Sequence, residues 1–440
     1  MPYNRDEATD VRHITLISKR ARREPKLKFT SLAHLLNIDF LRGCYFSLGK
    51  DRASGIDEIS WQEYGEQLEE NLCDLVTRMK SKRYKPLPAK RVYIPKGNNE
   101  ERPLGLPSLE DKIVQKGIAK ILEAIYEADF LHCSYGFRPS RSCHHALKSV
   151  DNKIFRKRVN HVIEADIKGF FDNVSHEWLI KFLKVRIDDP SFLLLISRFL
   201  KAGYVEEGQL VLAKEGTPQG GNLSPILSNI FLHYVLDLWF EAVVKTYVNG
   251  ECYMVRYADD FICMVQNDND AKRIEQALRN RFERFGLELH PEKTRTISFG
   301  RFEKERAQKQ KRRSNTFNFL GFTHYCGKSR KGTFIVGRKT SQKKFRQKLA
   351  EITKWLKDIR DVNKCKLWWA TLIAKLRGHY QYYGVSGNSR SLNLFYYKTE
   401  QATFKWLNRC SQKTRFNWKG FAEYLKHYPL PKPRIMNSFY

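Results

Sequence analysis

Residues 253–265 read Tyr253-Met254-Val255-Arg256-Tyr257-Ala258-Asp259-Asp260-Phe261-Ile262-Cys263-Met264-Val265. Two short, mainly apolar runs flank a pair of adjacent aspartates, which predicts two strands joined by a tight turn. A solvated hairpin tip is the ordinary explanation of an Asp-Asp turn, but apolar strands on both sides would bury this hairpin. Adjacent carboxylates repel each other strongly unless a cation neutralises them. The pattern therefore favours a site for hard cations, which prefer oxygen ligands.

A third aspartate ends another apolar strand. The segment His161-Val162-Ile163-Glu164-Ala165-Asp166 has the composition of a strand that finishes on a carboxylate. Magnesium takes carboxylates together with substrate phosphates, and two such ions about 3.5–4 Å apart can hold both the attacking and the leaving oxygen of a phosphoryl transfer. Asp166 is therefore a candidate partner for the Asp259–Asp260 pair.

The charge of the chain points to a polyanionic partner. Its 440 residues contain 79 Lys and Arg against 48 Asp and Glu, a formal net charge of +31. Between Arg301 and Lys348 there are 16 basic residues and only 2 acidic ones. A solubility charge or a mitochondrial-type bias is the alternative, but a folded chain this basic favours nucleic acid. The 42% hydrophobic and 13% aromatic content indicates a folded protein.

Several classes of protein are disfavoured by composition. The nine cysteines include no Cys-x-x-Cys pair, which argues against a disulfide framework and a zinc module. No run of about 20 apolar residues and no signal-peptide pattern is evident, so we expect no membrane span. We expect the chain to stay where it is made, in a bacterial cytoplasm, with an organelle as the alternative.

The pattern along the chain predicts an α+β protein with three parts. Residues 1–30 form a basic N-terminal extension, residues 31–330 mix helices and strands, and residues 340–440 are helical with a short basic tail. In the last part, Phe345, Leu349, Ile352, Leu356 and Ile359 recur at helical spacing. Residues 301–315 are expected to form a mobile basic loop.

Three segments resemble those of reverse transcriptases of the group II intron type. They are the Tyr257–Asp260 signature, the first-aspartate segment Ala165–Asp172, and Gly216–Pro225, in the family's order and spacing. Asn222 departs from the pattern, since the family often has Pro there. The fingers-like segments 94–107 and 135–142 and the thumb-like segment Leu376–Gly384 extend the resemblance over most of the chain. The C-terminal tail contains no Cys pair, so we expect no zinc-supported endonuclease of the kind that many relatives carry.

The resemblance implies a right-hand polymerase, with fingers and palm on an antiparallel sheet plus helices and with an α-helical thumb. It implies that Asp166, Asp259 and Asp260 are catalytic and bind two Mg²⁺ ions, with the Ile167 carbonyl as a further ligand. It also implies roles for seven other residues: nucleotide binding by Lys96, Arg102, Phe171, Gln219 and Lys293, and primer gripping by Leu320 and Gly321. Each of the five nucleotide-binding candidates could instead be an ordinary surface, core or loop residue.

The implied activity is RNA-directed DNA synthesis, with an RNA template, a DNA primer and deoxynucleoside triphosphates as partners. The resemblance further implies a maturase role in which the protein binds structured intron RNA and assists its splicing and mobility. Three alternatives remain open: a domesticated relative in DNA repair or phage defence, a non-catalytic RNA-binding splicing factor, and an RNA-dependent RNA polymerase. The sequence does not set the oligomeric state.

Overall fold

The computed structural model describes residues 5–97, 100–213, 215–217, 220–329, 331–359, 365–409 and 416–439. The helices are α1 (Arg5–Arg23), α2 (Ile38–Phe46), α3 (Trp61–Glu66), α4 (Leu68–Lys80), α5 (Leu109–Tyr126), α6 (Cys143–Arg156), α7 (His176–Leu183), α8 (Pro190–Lys201), α9 (Ser224–Leu232), α10 (Lys245–Tyr247), α11 (Asp268–Glu283), α12 (Glu303–Lys309), α13 (Gln342–Ile359), α14 (Cys365–Tyr383), α15 (Ser389–Leu407) and α16 (Trp418–His427). The strands are β1 (Ala89–Gly97), β2 (Glu100–Leu106), β3 (His161–Ala165), β4 (Tyr204–Glu206), β5 (Gln209–Val211), β6 (Cys252–Tyr257), β7 (Asp260–Val265), β8 (Arg295–Ser298), β9 (Thr316–Phe319), β10 (Phe322–Lys328) and β11 (Phe334–Thr340).

The central sheet has the order β6-β7-β3-β8, and all of its neighbouring strands are antiparallel. Successive side chains of a strand point to opposite faces. In β7, Phe261 and Cys263 face a core built on α5 and α9, while Ile262 and Met264 face a second core beneath the C-terminal helices. Because both faces are buried, the apolar run of β7 is continuous and does not alternate with polar residues.

The N-terminal half packs helices against the first core and also contains a second sheet. In that sheet, of order β2-β1-β4-β5, β1 pairs antiparallel with β2 and parallel with β4. Helix α5 is the centre of this half, with Ile113, Ile118 and Ile121 fully buried. The basic N-terminal segment contains α1, which packs on α2 and α5.

One helical stretch, Ser224–Tyr247, joins α9 to α10 through π-helical turns at His233–Asp237 and Phe240–Val244. Within the described part of the chain it is long and apolar enough to cross a membrane, a feature that the sequence reading missed. In this fold 67% of the most apolar segment of this helical stretch is buried. That burial is what the core helix of a folded domain shows.

The C-terminal part combines a three-stranded sheet with helices. The sheet has the order β11-β10-β9, and α13, α14, α15 and α16 follow it. Helix α15 packs on α13, on α14 and on β11. The predicted boundary at 330–340 falls within the β10–β11 hairpin, and the division into three parts stays a prediction.

The α+β class is confirmed by this mixture of antiparallel sheets and helices. The loop expected at 301–315 is confined to the end of that segment, because α12 occupies Glu303–Lys309 and residues 312–315 are in neither helix nor strand. The Glu303 side chain is buried and accepts a 2.6 Å hydrogen bond from Arg312 Nη1. This ion pair ties the basic segment to the fold, and the sequence pattern did not show it.

Candidate active site

The β6–β7 hairpin presents the two adjacent aspartates at the edge of the central sheet. Tyr257 pairs with Asp260, so the two-residue turn consists of Ala258 and Asp259. The turn is therefore one residue earlier than the Asp-Asp tip that the sequence predicted. Ala258 has a φ of +57°, a conformation that a tight hairpin turn requires and that residues other than glycine seldom adopt.

The register of β3 against β7 brings the third aspartate to the same edge. Ala165 pairs with Phe261, so one further step along each strand sets Asp166 opposite Asp260. Residues directly opposite in an antiparallel pair have Cα atoms roughly 4.5–5.5 Å apart. Asp166 thus lies close to Asp259 and Asp260, although it is distant from them in the sequence. Ile167, predicted to lend its carbonyl, is buried and forms a bridge with Leu289.

The negative charge at this edge is only partly compensated by nearby cations. Burial, followed by the charge of Asp259, raises the pKa of Asp260 to about 7. Burial and the neighbouring Asp166 also raise the pKa of Asp259, while Arg102 and Arg256 oppose the rise. Charge repulsion and desolvation both disfavour the ionised form, and a cation at this edge would relieve both.

The donor set of the site fits a hard divalent cation that is completed by substrate. Among the described residues, no three His, Cys, Asp or Glu side chains are already spaced to enclose a metal ion. Magnesium is usually bound by one or two carboxylates plus substrate phosphates, so an open edge of carboxylates suits it. Lys293 Nζ lies 2.8 Å from Asp166 Oδ2 and supplies one positive charge there.

A buried ion pair supports the turn from beneath, and the sequence reading missed it. The Arg256 guanidinium is fully buried, and Nε donates to Asp237 Oδ1 at 2.7 Å. Its Nη1 donates to the Ala258 carbonyl at 2.9 Å and to Asn229 Oδ1 at 3.0 Å. Arg256 therefore links the turn to the π-helical stretch. An arginine within an otherwise apolar strand was the available signal.

The segment around Gly136 packs directly on this turn. A Cβ at Gly136 would lie 2.4 Å from the Ala258 nitrogen, so only glycine fits. The Gly136 carbonyl accepts from Asn229 Nδ2 at 2.8 Å. The adjacent Arg138 is buried and donates to Glu127 and to backbone carbonyls. This fingers-like segment thus acts as a structural support for the hairpin.

Two predicted nucleotide-binding residues lie on or beside strand β2. Arg102, on β2, is exposed and close enough to lower the pKa of Asp259. Phe171 is half-buried and lines a cavity of about 700 Å³ together with Gly105 and Tyr204. The Phe171 carbonyl accepts from Thr217 N at 2.7 Å, which fixes its backbone. Gln219 and the Lys96 side chain lie outside the described residues.

The glycines after Gln219 have packing roles that the sequence reading did not foresee. A Cβ at Gly220 would lie 2.7 Å from the Gly105 carbonyl oxygen, and one at Gly221 would lie 2.8 Å from Gln115 Oε1. Asn222 is the departure from the family pattern. Its backbone N donates to Gln115 Oε1 at 3.0 Å, and its Nδ2 donates to the Lys112 carbonyl at 3.2 Å. These contacts hold the loop against α5.

The predicted primer-gripping turn lies beside the carboxylates. Leu320 and Gly321 connect β9 to β10, with φ values of +49° and +75°. The Leu320 amide donates to the Asp260 carboxylate, and the Tyr382 hydroxyl donates to the Leu320 carbonyl at 3.0 Å. Asp260, Leu320 and Gly321 line one cavity of about 960 Å³. A thumb-like segment therefore holds the turn in place, which the sequence had not indicated.

Replacing Tyr382 with Phe removes one hydrogen bond to this turn. We expect primer affinity to fall about fivefold, the equivalent of roughly 1 kcal/mol, with little change in rate at saturating primer. Primer titrations in an extension assay measure both quantities. Tyr397→Phe, at an exposed position of α15, is the control. Equal primer affinity in wild type and Tyr382→Phe would show that this contact does not position the primer.

Three carboxylates on a palm-type sheet, facing a fingers hairpin and followed by helices, define a template-directed nucleic-acid polymerase. The family described as reverse transcriptase (RNA-dependent DNA polymerase) matches residues 94–324. Protein YkfC of Escherichia coli (strain K12) is 33% identical over 336 residues, covering 70% of this chain and 84% of that protein.

Other relatives carry intron-related names. The group II intron-encoded protein LtrA of Lactococcus lactis subsp. cremoris is 40% identical over 228 residues, which cover 50% of this chain and 38% of LtrA. Nuclear intron maturase 4, mitochondrial, of Arabidopsis thaliana is 30% identical over 131 residues, which cover 29% of this chain and 16% of that protein. The chain belongs to the reverse transcriptase family and is an RNA-directed DNA polymerase that uses a nucleic-acid template and primer.

Proposed function

We propose that the chain extends a DNA primer on an RNA template with two magnesium ions held by Asp166, Asp259 and Asp260. The single observation that carries this is the placement of the three carboxylates at one sheet edge. Reverse transcriptases generally use divalent metals. When bound, the two ions would stabilise charge on the attacking 3′-oxygen and the leaving pyrophosphate of the incoming deoxynucleotide.

The surrounding residues of the chain then have separate tasks. Arg102 and Lys293 are cations beside the carboxylates and would offset the charge of the triphosphate. Phe171 lines the cavity between palm and fingers, where its ring would limit space near the sugar of the incoming nucleotide. Leu320 and Gly321 would hold the primer terminus, since their turn touches Asp260.

Primer extension tests this function directly. Purified protein, an RNA template annealed to a DNA primer, magnesium and deoxynucleotides should give full-length complementary DNA. The same reaction with ribonucleotides should give little product, which separates this function from that of an RNA-dependent RNA polymerase. An absence of product from properly folded protein, on several primers and templates, would contradict the proposal.

Replacing Phe171 with Ala should relax the choice of sugar. Removing the ring opens space near the 2′ position, so we expect the relative use of ribonucleotides to rise by about 10- to 100-fold. Incorporation of matched ribo- and deoxynucleotides by each variant measures this ratio. Phe155→Ala, at an exposed phenylalanine of α6, should leave the ratio unchanged. Unchanged discrimination in Phe171→Ala would remove Phe171 from sugar selection.

We also propose that the chain binds structured intron RNA and assists its splicing. Relatives named as a group II intron-encoded protein and as an intron maturase support this role, as does the net charge of +31. Phosphate contacts make such binding strongly dependent on salt. Affinity for a folded group II intron RNA should exceed affinity for an unstructured RNA of equal length at the same salt concentration. Equal affinities would favour the domesticated role in DNA repair or phage defence.

A further inference from the structure

A cavity of about 590 Å³ lies behind the Leu320–Gly321 turn, between α13, α14 and α15. Its size is within the range of small-molecule sites, roughly 300–1,000 Å³. Four of its lining residues carry aromatic rings, namely His379, Tyr382, Tyr383 and Phe395. Three others carry ammonium groups, Lys344, Lys348 and Lys375, and Glu351 carries a carboxylate. None of the functions above assigns a ligand to this cavity.

A glycine in the middle of a helix forms part of the wall. Gly378 lies five residues before the end of α14, where glycine weakens a helix relative to alanine. A Cβ built at Gly378 meets no atom of the described residues within 4 Å, so packing inside the protein does not require the glycine. Its backbone φ is not positive either. The missing side chain leaves room for a molecule to approach the helix closely.

The next residue offers an unmet hydrogen bond in the same wall. His379 is only 8% exposed, and its Nε2 has no hydrogen-bond partner in the part of the chain that the structure describes. Its ring stacks on Phe395, with centroids 3.7 Å apart and planes 6° from parallel. Buried polar groups are nearly always paired, so a ligand with a polar edge would complete this site.

The charges at the rim select for an anion. Lys348 donates to Glu351 at 2.8 Å, which neutralises one cation and the carboxylate. Lys344 and Lys375 add two further positive charges, and the Lys375 ammonium lies 5.0 Å from the Trp355 ring centroid. An aromatic floor with a cationic rim matches a nucleobase joined to a phosphate.

We propose that this cavity is a second nucleotide-binding site, which takes one unstacked base against His379, Tyr382 and Phe395 and its phosphate at Lys344 and Lys375. A site here is beside the primer-gripping turn and can hold an unpaired nucleotide of a bound strand. The proposal does not depend on polymerase activity, since it uses none of the three aspartates.

The probe is 2-aminopurine riboside 5′-monophosphate, whose fluorescence changes when its base stacks on an aromatic ring. With the full chain and EDTA present, we expect saturable binding that Gly378→Phe weakens by about tenfold or more, because the new ring fills the space of the base. Ala374→Phe, at an exposed position one turn earlier that does not line the cavity, is the matched control. Thermal melting verifies that both variants fold.

Two further measurements separate the parts of the proposal. The riboside without phosphate should bind more weakly than the monophosphate, and Lys375→Gln should reduce this difference, because only Lys344 then remains to bind the phosphate. Asp259→Asn should bind the probe as wild type does, which separates this site from the polymerase centre. Absence of saturable binding, or equal affinity in wild type and Gly378→Phe, would overturn the proposal.

Discussion

Replacing Asp259 with Asn is expected to lower primer extension by about 1,000-fold or more, since losing a metal-binding carboxylate costs several kcal/mol of transition-state stabilisation. Asn keeps the size of the side chain and the turn conformation but removes the negative charge. Initial rates at saturating primer–template and deoxynucleotide measure the effect. Asp268→Asn, an exposed aspartate at the start of α11, is the control and should retain wild-type activity.

The same substitution should leave the protein at least as stable when divalent ions are absent. Burial raises the pKa of Asp260 most, and the charges of Asp259 and then Asp166 raise it further, so the carboxylates repel one another in the folded state. Removing one charge relieves that repulsion. The melting temperature of Asp259→Asn in EDTA should therefore equal or exceed that of wild type. A large fall would mean that Asp259 stabilises the fold, and the loss of activity would then need another explanation.

The second large effect is expected from Arg256→Met, which breaks the buried ion pair beneath the turn. Asp237 is fully buried and would be left without its cation. Breaking such a buried pair typically lowers the free energy of unfolding by about 3–5 kcal/mol. Breaking an ion pair at the surface has a much smaller effect. Urea denaturation followed by tryptophan fluorescence measures the loss. Activity should fall as well, because the Ala258 carbonyl loses its hydrogen bond to Arg256.

Two controls separate the unpaired charge from the loss of packing. Arg256→Met combined with Asp237→Leu removes both charges and should recover much of the stability, though not the activity. Arg279→Met breaks a partly exposed ion pair with Glu275 in α11 and should change the urea midpoint very little. If Arg256→Met were as stable as wild type, the buried pair would not be what supports the hairpin.

Local patterns in the sequence predicted the elements that carry the site. The two strands predicted within residues 253–265 are observed as Cys252–Tyr257 and Asp260–Val265, and the strand predicted at 161–166 is observed as His161–Ala165. Apolar periodicity is a local property, which is why it finds such elements well. The resemblance led us to expect Asp166 close to Asp260. In the structure, the register of β3 against β7 places these two residues opposite each other.

The interactions that support the site could not be predicted, because they join segments far apart in the chain. Tyr382 and Leu320 are 62 residues apart, and Arg256 binds Asp237 from 19 residues away. No local pattern encodes such pairs. The same holds for Gly136, since its need for glycine comes from contact with Ala258 across the fold. Gly220 is a similar case, since its Cβ would lie 2.7 Å from the Gly105 carbonyl oxygen, far away in the sequence.

Manganese binding to a stalled complex tests the central claim most directly. The complex contains the protein, an RNA template, a primer ended by a dideoxynucleotide and the next deoxynucleotide, and bound Mn²⁺ is counted by electron paramagnetic resonance. Wild type should bind two ions tightly, whereas Asp166→Asn and Asp259→Asn should each lose tight binding, because both carboxylates hold the same ions. If Asp166→Asn bound Mn²⁺ as wild type does, the three carboxylates would not form one metal site.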